Sequence, residues 1–299
     1  MTLACAIALG TSLLLYLAAT VLFQGRLLLR RSTWEAPARR LLQAGLTVQA
    51  VGMAMHFLFS GHTPLHSMLV VVSLITIAFL GIALLLGHRM QIRHVEALAA
   101  PLAFFALLYA LLMPVHFDEA ESLLLRYPWL GAHVVLTLLG DVGFALAFCT
   151  AVVYLAQSRA LKHGRLNRFL PPLDAAGSAT YHFAAAGFVL FTLGLVMGVI
   201  WLFGAPGDYL RPQDTKIWMA VPTWLVFALY LYERGVSRQH GSRLKWLIVA
   251  GFVLAVANLL AVRHQFAGPM ASPADPAHRA VWASFGTPAP GPDLSRQFP

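Results

Sequence analysis

Long apolar runs separated by short polar segments dominate this chain. A helix needs about 20 mostly apolar residues to cross the hydrocarbon core of a bilayer, and eight runs of roughly that length occur along the sequence. The pattern predicts spanning helices at residues 3–24, 41–59, 66–87, 96–114, 131–155, 182–203, 217–233 and 245–263. The predicted fold is an all-α integral membrane protein, a bundle of about eight transmembrane helices.

Lysine and arginine are concentrated in four of the connecting segments. Residues 25–40, 88–95, 157–181 and 234–245 hold 15 of the 21 Lys and Arg residues. Because such residues are enriched in cytoplasmic loops, we assign these segments to the inside. An even number of spans leaves both termini on the other side, so both are predicted to be outer, or periplasmic, at a bacterial inner membrane.

The two ends of the chain differ in character. The first apolar run precedes Arg26, the first charged residue, whereas a secretory signal carries its positive charges before the apolar run; we therefore predict a retained span. Residues 266–299 are rich in Pro, Ala, Gly and Ser, a composition that buries little apolar surface. The predicted organisation is a polytopic membrane domain over 1–265 and a mobile tail over 266–299.

The composition narrows the class of function. The chain is 59% hydrophobic and 11% charged, against about 25% charged for a soluble domain. Its formal net charge of +9 is explained by positive residues flanking spans, so no nucleic-acid partner is predicted and lipid is the expected environment. Cys5 and Cys149 lie in apolar runs and are read as small hydrophobic residues. Neither a Ser/His/Asp motif nor a Gly-rich phosphate loop is present, which argues against a soluble hydrolase or oxidoreductase.

Three of the twelve histidines lie at similar predicted depth near the outer helix ends. His133 is in the first turn of the fifth predicted span, His264 ends the eighth, and His56 is near the outer end of the second. A neutral imidazole tolerates an apolar wall and offers a nitrogen to a metal, and two of them can be the axial ligands of a haem iron. A single histidine at a helix end is more often solvated or hydrogen-bonded. The hypothesis of haem ligation therefore concerns the three outer histidines together.

The remaining histidines divide into groups. His62 lies in a short outer turn beside His66, where it either caps the third span or joins the outer set. His182 is near the inner end of the sixth span, as an interfacial anchor or as a second, inner ligand. His116 lies at or beyond the outer end of the fourth span. The other five belong to basic loops or to the tail and are read as surface residues: His88, His94, His163, His240 and His278.

Five segments resemble the cytochrome c assembly family, the CcsA/ResC/CcmC-type haem-handling membrane proteins with their HemX-like and YpjD-like relatives. The turn at 60–65 is similar to the family's SGHxPL, and His133 to the histidine that heads its span five. Residues 170–195, LPPLD through GF to LGL, resemble LPxLE…GF…LTLG. Residues 218–232 resemble the family's seventh span, W(A/S)LITWLIYAxYLH, and 247–258 resemble the last span, which ends near a histidine. The resemblance, taken over these segments in order, covers about residues 40–265.

The resemblance implies a site. In the family a tryptophan-rich outer loop, WGxxWxWDPKE, forms a haem platform between two histidines, which correspond here to His133 and His264. Trp201, Tyr209 and Trp218 retain part of that pattern, whereas the central tryptophans are absent. The seventh span ends in YLY, with Tyr232 where the family's haem synthases have histidine. The implied cofactor is non-covalent b-type haem, and the implied partners are an apocytochrome c and a second membrane subunit of CcsB type.

Three functions remain open at this point. The first is a haem-handling protein of cytochrome c biogenesis, at most a component of a haem lyase system. The second is a HemX-like or YpjD-like regulator or scaffold, favoured by the altered loop and by Tyr232. The third is a transporter of a small solute. Against it, Asp141 is the only clear charge that we place within a span, and the sequence shows no obvious pair of broken helices.

Overall fold

The computed structural model describes residues 3–29, 32–60, 67–89, 95–112, 128–164, 171–204, 215–237 and 241–261. These ranges form eight α-helices, joined at one point by a short 3-10 turn at Ser32–Trp34. They are α1 Leu3–Leu29, α2 Glu35–Ser60, α3 Met68–Arg89, α4 Glu96–Leu112, α5 Pro128–Lys162, α6 Leu173–Gly204, α7 Thr215–Gly235 and α8 Ser242–Ala261. Each predicted span coincides with one helix, which confirms the all-α prediction.

Several helices are longer than the apolar runs that predicted them. Helix α5 has 35 residues and continues past residue 155, and α6 has 32 residues and begins nine residues before 182. The main-chain hydrogen bonds of a helix do not need apolar side chains, so a helix extends through polar positions such as Asp174 and Gln157. Apolarity therefore located the helices but not their ends.

Six helices in the described ranges are long and apolar enough to cross a membrane, namely α1, α2, α3, α5, α6 and α8. Helix α4 is apolar but shorter, at 17 residues. Large apolar side chains such as Leu14, Phe105 and Leu193 point away from the protein, 67%, 62% and 49% exposed. Such a surface suits lipid contact. The exact number of spans and the side of the termini stay predictions.

Helices α5 and α6 form the closest helix pair in the bundle. A Cβ added to Gly143 would lie 2.6 Å from the Cα of Gly187, and one added to Gly140 would lie 2.9 Å from the Cα of Phe191. Small residues allow membrane helices to approach backbone to backbone. The glycines therefore set the distance between the two helices that carry the candidate site.

Helix α7 is fastened to this pair by aromatic side chains. The rings of Phe144 and Phe227 stack with centroids 3.6 Å apart, and Trp224 donates from Nε1 to the hydroxyl of Thr192 at 2.9 Å. The first contact joins α7 to α5 and the second joins it to α6. The middle of α7 is thereby held against both α5 and α6.

Polar contacts hold α1 against α2, and α2 against α4. The hydroxyl of Tyr16 donates to the Oε1 of buried Gln49 at 2.6 Å. Near the C-terminal end of α1 and the beginning of α2, Glu35 pairs with Arg26 at 2.8 Å and with Arg39 at 3.5 Å. Arg39 also pairs with Glu96 on α4 at 2.7 Å. Part of the positive charge of the predicted inner segment 25–40 is therefore neutralised by acidic side chains within the fold.

Candidate functional site

His133 lies in the second turn of α5 and its ring is directed at α6. Its Nδ1 lies 2.6 Å from the main-chain oxygen of Gly194. A carbonyl oxygen only accepts hydrogen bonds, so Nδ1 must carry the proton and donate it. In the neutral ring the remaining lone pair is therefore on Nε2. The structure thus fixes the tautomer of the histidine that the sequence singled out.

Two glycines one helical turn apart on α6 face α5 here, Gly198 at the ring of His133 and Gly194 at Thr137. A Cβ at Gly198 would lie 2.7 Å from the Nδ1 of His133 and 2.8 Å from its Cε1. A Cβ at Gly194 would lie 2.6 Å from the Cγ2 of Thr137. Cβ atoms in proteins essentially never approach other atoms this closely. At these two residues α6 therefore presents only its backbone to His133 and to the turn that follows it.

The register of α5 and α8 determines which parts of the two helices are level. Ser158 lies against Ser242, with the hydroxyl oxygens 2.9 Å apart, and Phe148 stacks on Phe252 with centroids 4.4 Å apart. The contact thus moves ten residues down one helix as it moves ten up the other, which is antiparallel packing. Extended at that rate, the last residue of α8, Ala261, is level with about residue 139, roughly 9 Å along the axis from His133.

Contacts between α6 and α7 likewise show which residues of these two helices lie at the same height along the helix axes. Arg234 lies over the ring of Tyr181 at 5.9 Å, and Trp224 bonds Thr192. By the same extension Trp218 is level with about residue 197, beside Gly198. The beginning of α7, the glycine pair and the head of α5 therefore stand at one level. Trp218 is 66% exposed.

The other predicted residues are distributed as follows. His56 is buried on α2, 3% exposed, with its ring 5.9 Å from that of Phe57. Helix α3 packs against both α2 and α5, the helices of His56 and His133, and convergence of the two rings on one cavity stays a prediction. His182 is exposed on α6 and its Nδ1 donates to the carbonyl of Ser178 at 2.8 Å. His62, Tyr209 and His264 lie outside the described residues, as does the side chain of Trp201.

Sequence reasoning missed Gly198 and the carbonyl of Gly194. Gly194 had entered only as part of the LGL motif, and Gly198 had no role. The available signal was the spacing of two glycines four residues apart in an apolar helix, a pattern of close helix packing. That spacing does not say which side chain of another helix lies against the glycines.

Comparisons with known proteins agree with the resemblance seen in the sequence. The family model described as "Cytochrome C assembly protein" matches residues 48–268. The chain is 27% identical to the "Cytochrome c biogenesis protein CcsA" of Guillardia theta, over 65% of this chain and 71% of that protein. It is 25% identical to the CcsA protein of Synechococcus sp. (strain JA-3-3Ab), over 71% and 78%. It is 27% identical to "Protein HemX" of Brevibacillus brevis, over 60% and 67%. No solved structure matches the chain.

Proposed function

The chain belongs to the cytochrome c assembly protein family, and from that premise we propose that it is a haem-handling membrane protein of cytochrome c biogenesis. Several long apolar helices and the family together make it a multi-pass membrane protein. In the proposal it resides in the bacterial inner membrane and binds haem at the outer face, with His133 as one axial ligand.

The observation that carries the proposal is the contact of the His133 Nδ1 with the main-chain oxygen of Gly194. Histidines that bind metals commonly donate the other ring N–H to a carbonyl or carboxylate, which orients the ring and makes the ligating nitrogen more basic. His133 has this arrangement, because Nδ1 donates to Gly194 and the lone pair is on Nε2. The ring is half-buried.

The donor set fits haem better than a metal ion held by protein alone. A structural zinc site takes four protein ligands, and the described residues contain no group of three or more His, Cys, Asp or Glu that could hold a metal. A porphyrin already supplies four nitrogens to its iron. One or two axial histidines are then all that the chain has to provide.

The levels of the helices favour His264 as the second axial ligand. Helix α8 ends at Ala261, roughly 9 Å from the level of His133 along the axis, and His264 follows three residues later in the chain. Trp218 lies in the first turn of α7, level with Gly198. In the proposal Trp218, Trp201 and Tyr209 cover a face of the porphyrin, and His56 and His62 line the same outer region.

When bound, haem supplies the vinyl groups that form thioether bonds with a cytochrome c. The residues of this chain would bind and orient it: His133 and His264 hold the iron, and the apolar helix ends exclude water from it. The proposed partners are an apocytochrome c and a second membrane subunit of CcsB type. The chain acts in this scheme as a component of a haem lyase system and not as a complete enzyme. The role of His182 as an inner ligand stays a prediction.

Absorption spectroscopy of the purified protein tests the proposal. We expect the Soret band and resolved α/β bands of low-spin haem with two axial histidines, and their loss in the His133→Ala, His264→Ala double variant. Protein that is colourless from haem-replete cells, and remains so after added hemin, would refute haem binding.

A second candidate function is that of a regulator or scaffold, and the similarity to Protein HemX favours it. Tyr232, in place of the histidine of the family's haem synthases, agrees with this candidate. Its partner surface would be the basic segment 157–181. Capture of a partner through this segment, unchanged by haem depletion, would support the second candidate, whereas full capture by protein lacking the segment would refute it.

A further inference from the structure

The ring of His133 contacts the backbone of α6 at two residues, Gly194 and Gly198. The ring donates to the carbonyl of Gly194 at 2.6 Å, and the next turn of α6 meets the ring through Gly198. No side chain of α6 is needed to hold the imidazole at these two positions. The geometry therefore depends on the absence of a Cβ at residue 198.

A methyl group at residue 198 is incompatible with the present position of the ring. It would lie 2.7 Å from Nδ1, the atom that donates to Gly194. Either the imidazole rotates out of line with the carbonyl, or α5 and α6 move apart. Each response lengthens the Nδ1–H···O hydrogen bond. The weaker bond no longer holds the proton on Nδ1, so the lone pair is no longer confined to Nε2.

We propose that Gly198 is a positioning residue that sets the tautomer and basicity of His133 through Gly194 and thereby controls how strongly, and in which oxidation state, the site holds haem iron. This inference rests on the proposed function. An imidazole that donates from Nδ1 is a more electron-rich ligand at Nε2. Such a ligand favours ferric over ferrous iron, so the hydrogen bond lowers the reduction potential.

Another close glycine contact between α5 and α6 provides a comparison. Gly143 and Gly187 meet backbone to backbone, and Gly187 is 11 residues, or roughly 16 Å, from Gly198 along the helix. A substitution at Gly187 strains the helix pair without touching the ring. Gly131 lies on α5 two residues before His133, and a Cβ there meets nothing within 4 Å. It controls for adding a methyl group near the site.

The experiment is a double-mutant cycle on the full-length protein. Gly198→Ala is made in the wild-type chain and in the His133→Ala chain, with Gly131→Ala and Gly187→Ala as controls. Two quantities are measured: the melting temperature without haem, and the affinity for added hemin with the midpoint potential of the bound iron. Because His133→Ala vacates the space that the new methyl group needs, the cycle also covers the case in which the single variant folds poorly.

We expect Gly198→Ala to weaken hemin binding about 10–100-fold, as loss of a supporting hydrogen bond does, and to raise the potential. In the His133→Ala chain the same change alters neither the melting temperature nor hemin affinity. Gly131→Ala behaves as wild type, and Gly187→Ala lowers the melting temperature while the potential stays unchanged.

Two results overturn the inference, and they are distinguishable from each other. If His133→Ala loses hemin but Gly198→Ala keeps the wild-type affinity and potential, the positioning role is wrong and the proposed function stands. If the wild-type chain and His133→Ala bind hemin equally, or neither binds it, the proposed function fails and the inference fails with it. A melting-temperature effect of Gly198→Ala that depends on His133 would then still establish the contact but not its purpose.

Discussion

The imidazole of His133 donates a hydrogen bond from Nδ1 to the main-chain oxygen of Gly194, 2.6 Å away on the neighbouring helix. This bond ties the head of α5 to α6 and leaves Nε2 as the basic nitrogen. Gly198 leaves the space that the ring occupies, and Gly194 allows α6 to approach Thr137 closely. Helix packing and ligand chemistry are thus determined by the same short stretch of backbone.

Substitution of Gly143 by leucine is expected to force α5 and α6 apart. A Cβ at this position would already lie 2.6 Å from the Cα of Gly187, and overpacking a tight contact costs about 1–3 kcal/mol. Thermal melting of the detergent-solubilised protein measures the loss. Gly131→Leu is the control on the same helix, since a Cβ at Gly131 has no neighbour within 4 Å. Equal melting of the two variants would contradict the close packing.

Replacement of Glu96 by glutamine is expected to destabilise the contact of α2 with α4. The Glu96 side chain is 2% exposed and its Oε2 pairs with Arg39 at 2.7 Å. Removing one partner of a buried ion pair costs about 3–5 kcal/mol, and we expect the lower end because Arg39 is 23% exposed. Unfolding in increasing denaturant measures the change.

The matched variant for this ion pair removes both charges. In Glu96→Gln, Arg39→Met no buried charge is left without its partner, so the double variant should be more stable than Glu96→Gln alone. If the two single changes lower the free energy of unfolding by amounts that simply add in the double variant, the ion pair contributes nothing to stability.

Much of the fold could be predicted from the sequence, because an apolar run of spanning length has few alternatives to a helix in a membrane. All eight predicted spans coincide with helices, but polar residues such as Gln157 at the ends of α5 and α6 hid their true length. Arg26 and Arg39 were read as charges that flank a span, whereas Arg26 is 3% exposed and pairs with Glu35. Pairing across helices depends on packing, and hydropathy carries no information about it.

The candidate site was predicted only in part, for the same reason. His133 stood out by its position and by the resemblance, but its partner is a carbonyl, and every residue has one. The importance of Gly198 follows from what lies opposite it on another helix. The exposure of His182 likewise depends on the direction in which α6 faces.

Loss of the Tyr230 hydroxyl is expected to destabilise the predicted inner end of the bundle. Lys245, 3% exposed, donates from Nζ to this hydroxyl at 3.2 Å and lies over the rings of Tyr154 and Tyr230. A hydrogen bond from a charged donor contributes about 1.5–3 kcal/mol, so Tyr230→Phe should lower the melting temperature.

Lys245→Met gives the matched comparison, because an apolar side chain of similar length needs no hydroxyl. In that chain Tyr230→Phe should cost much less than it does in the wild type. An equal cost in both backgrounds would mean that the hydroxyl stabilises the fold through another contact.

The central claim, that His133 is an axial ligand of haem iron, is tested most directly by the low-spin ferric signal in electron paramagnetic resonance. The spectra to compare are those of hemin-loaded wild type, His133→Ala and His163→Ala. His163 follows the end of α5 and is exposed, so it controls for loss of a histidine from the same segment. The account predicts a low-spin signal in wild type and His163→Ala and its replacement by a high-spin signal in His133→Ala. An unchanged low-spin signal in His133→Ala would contradict it.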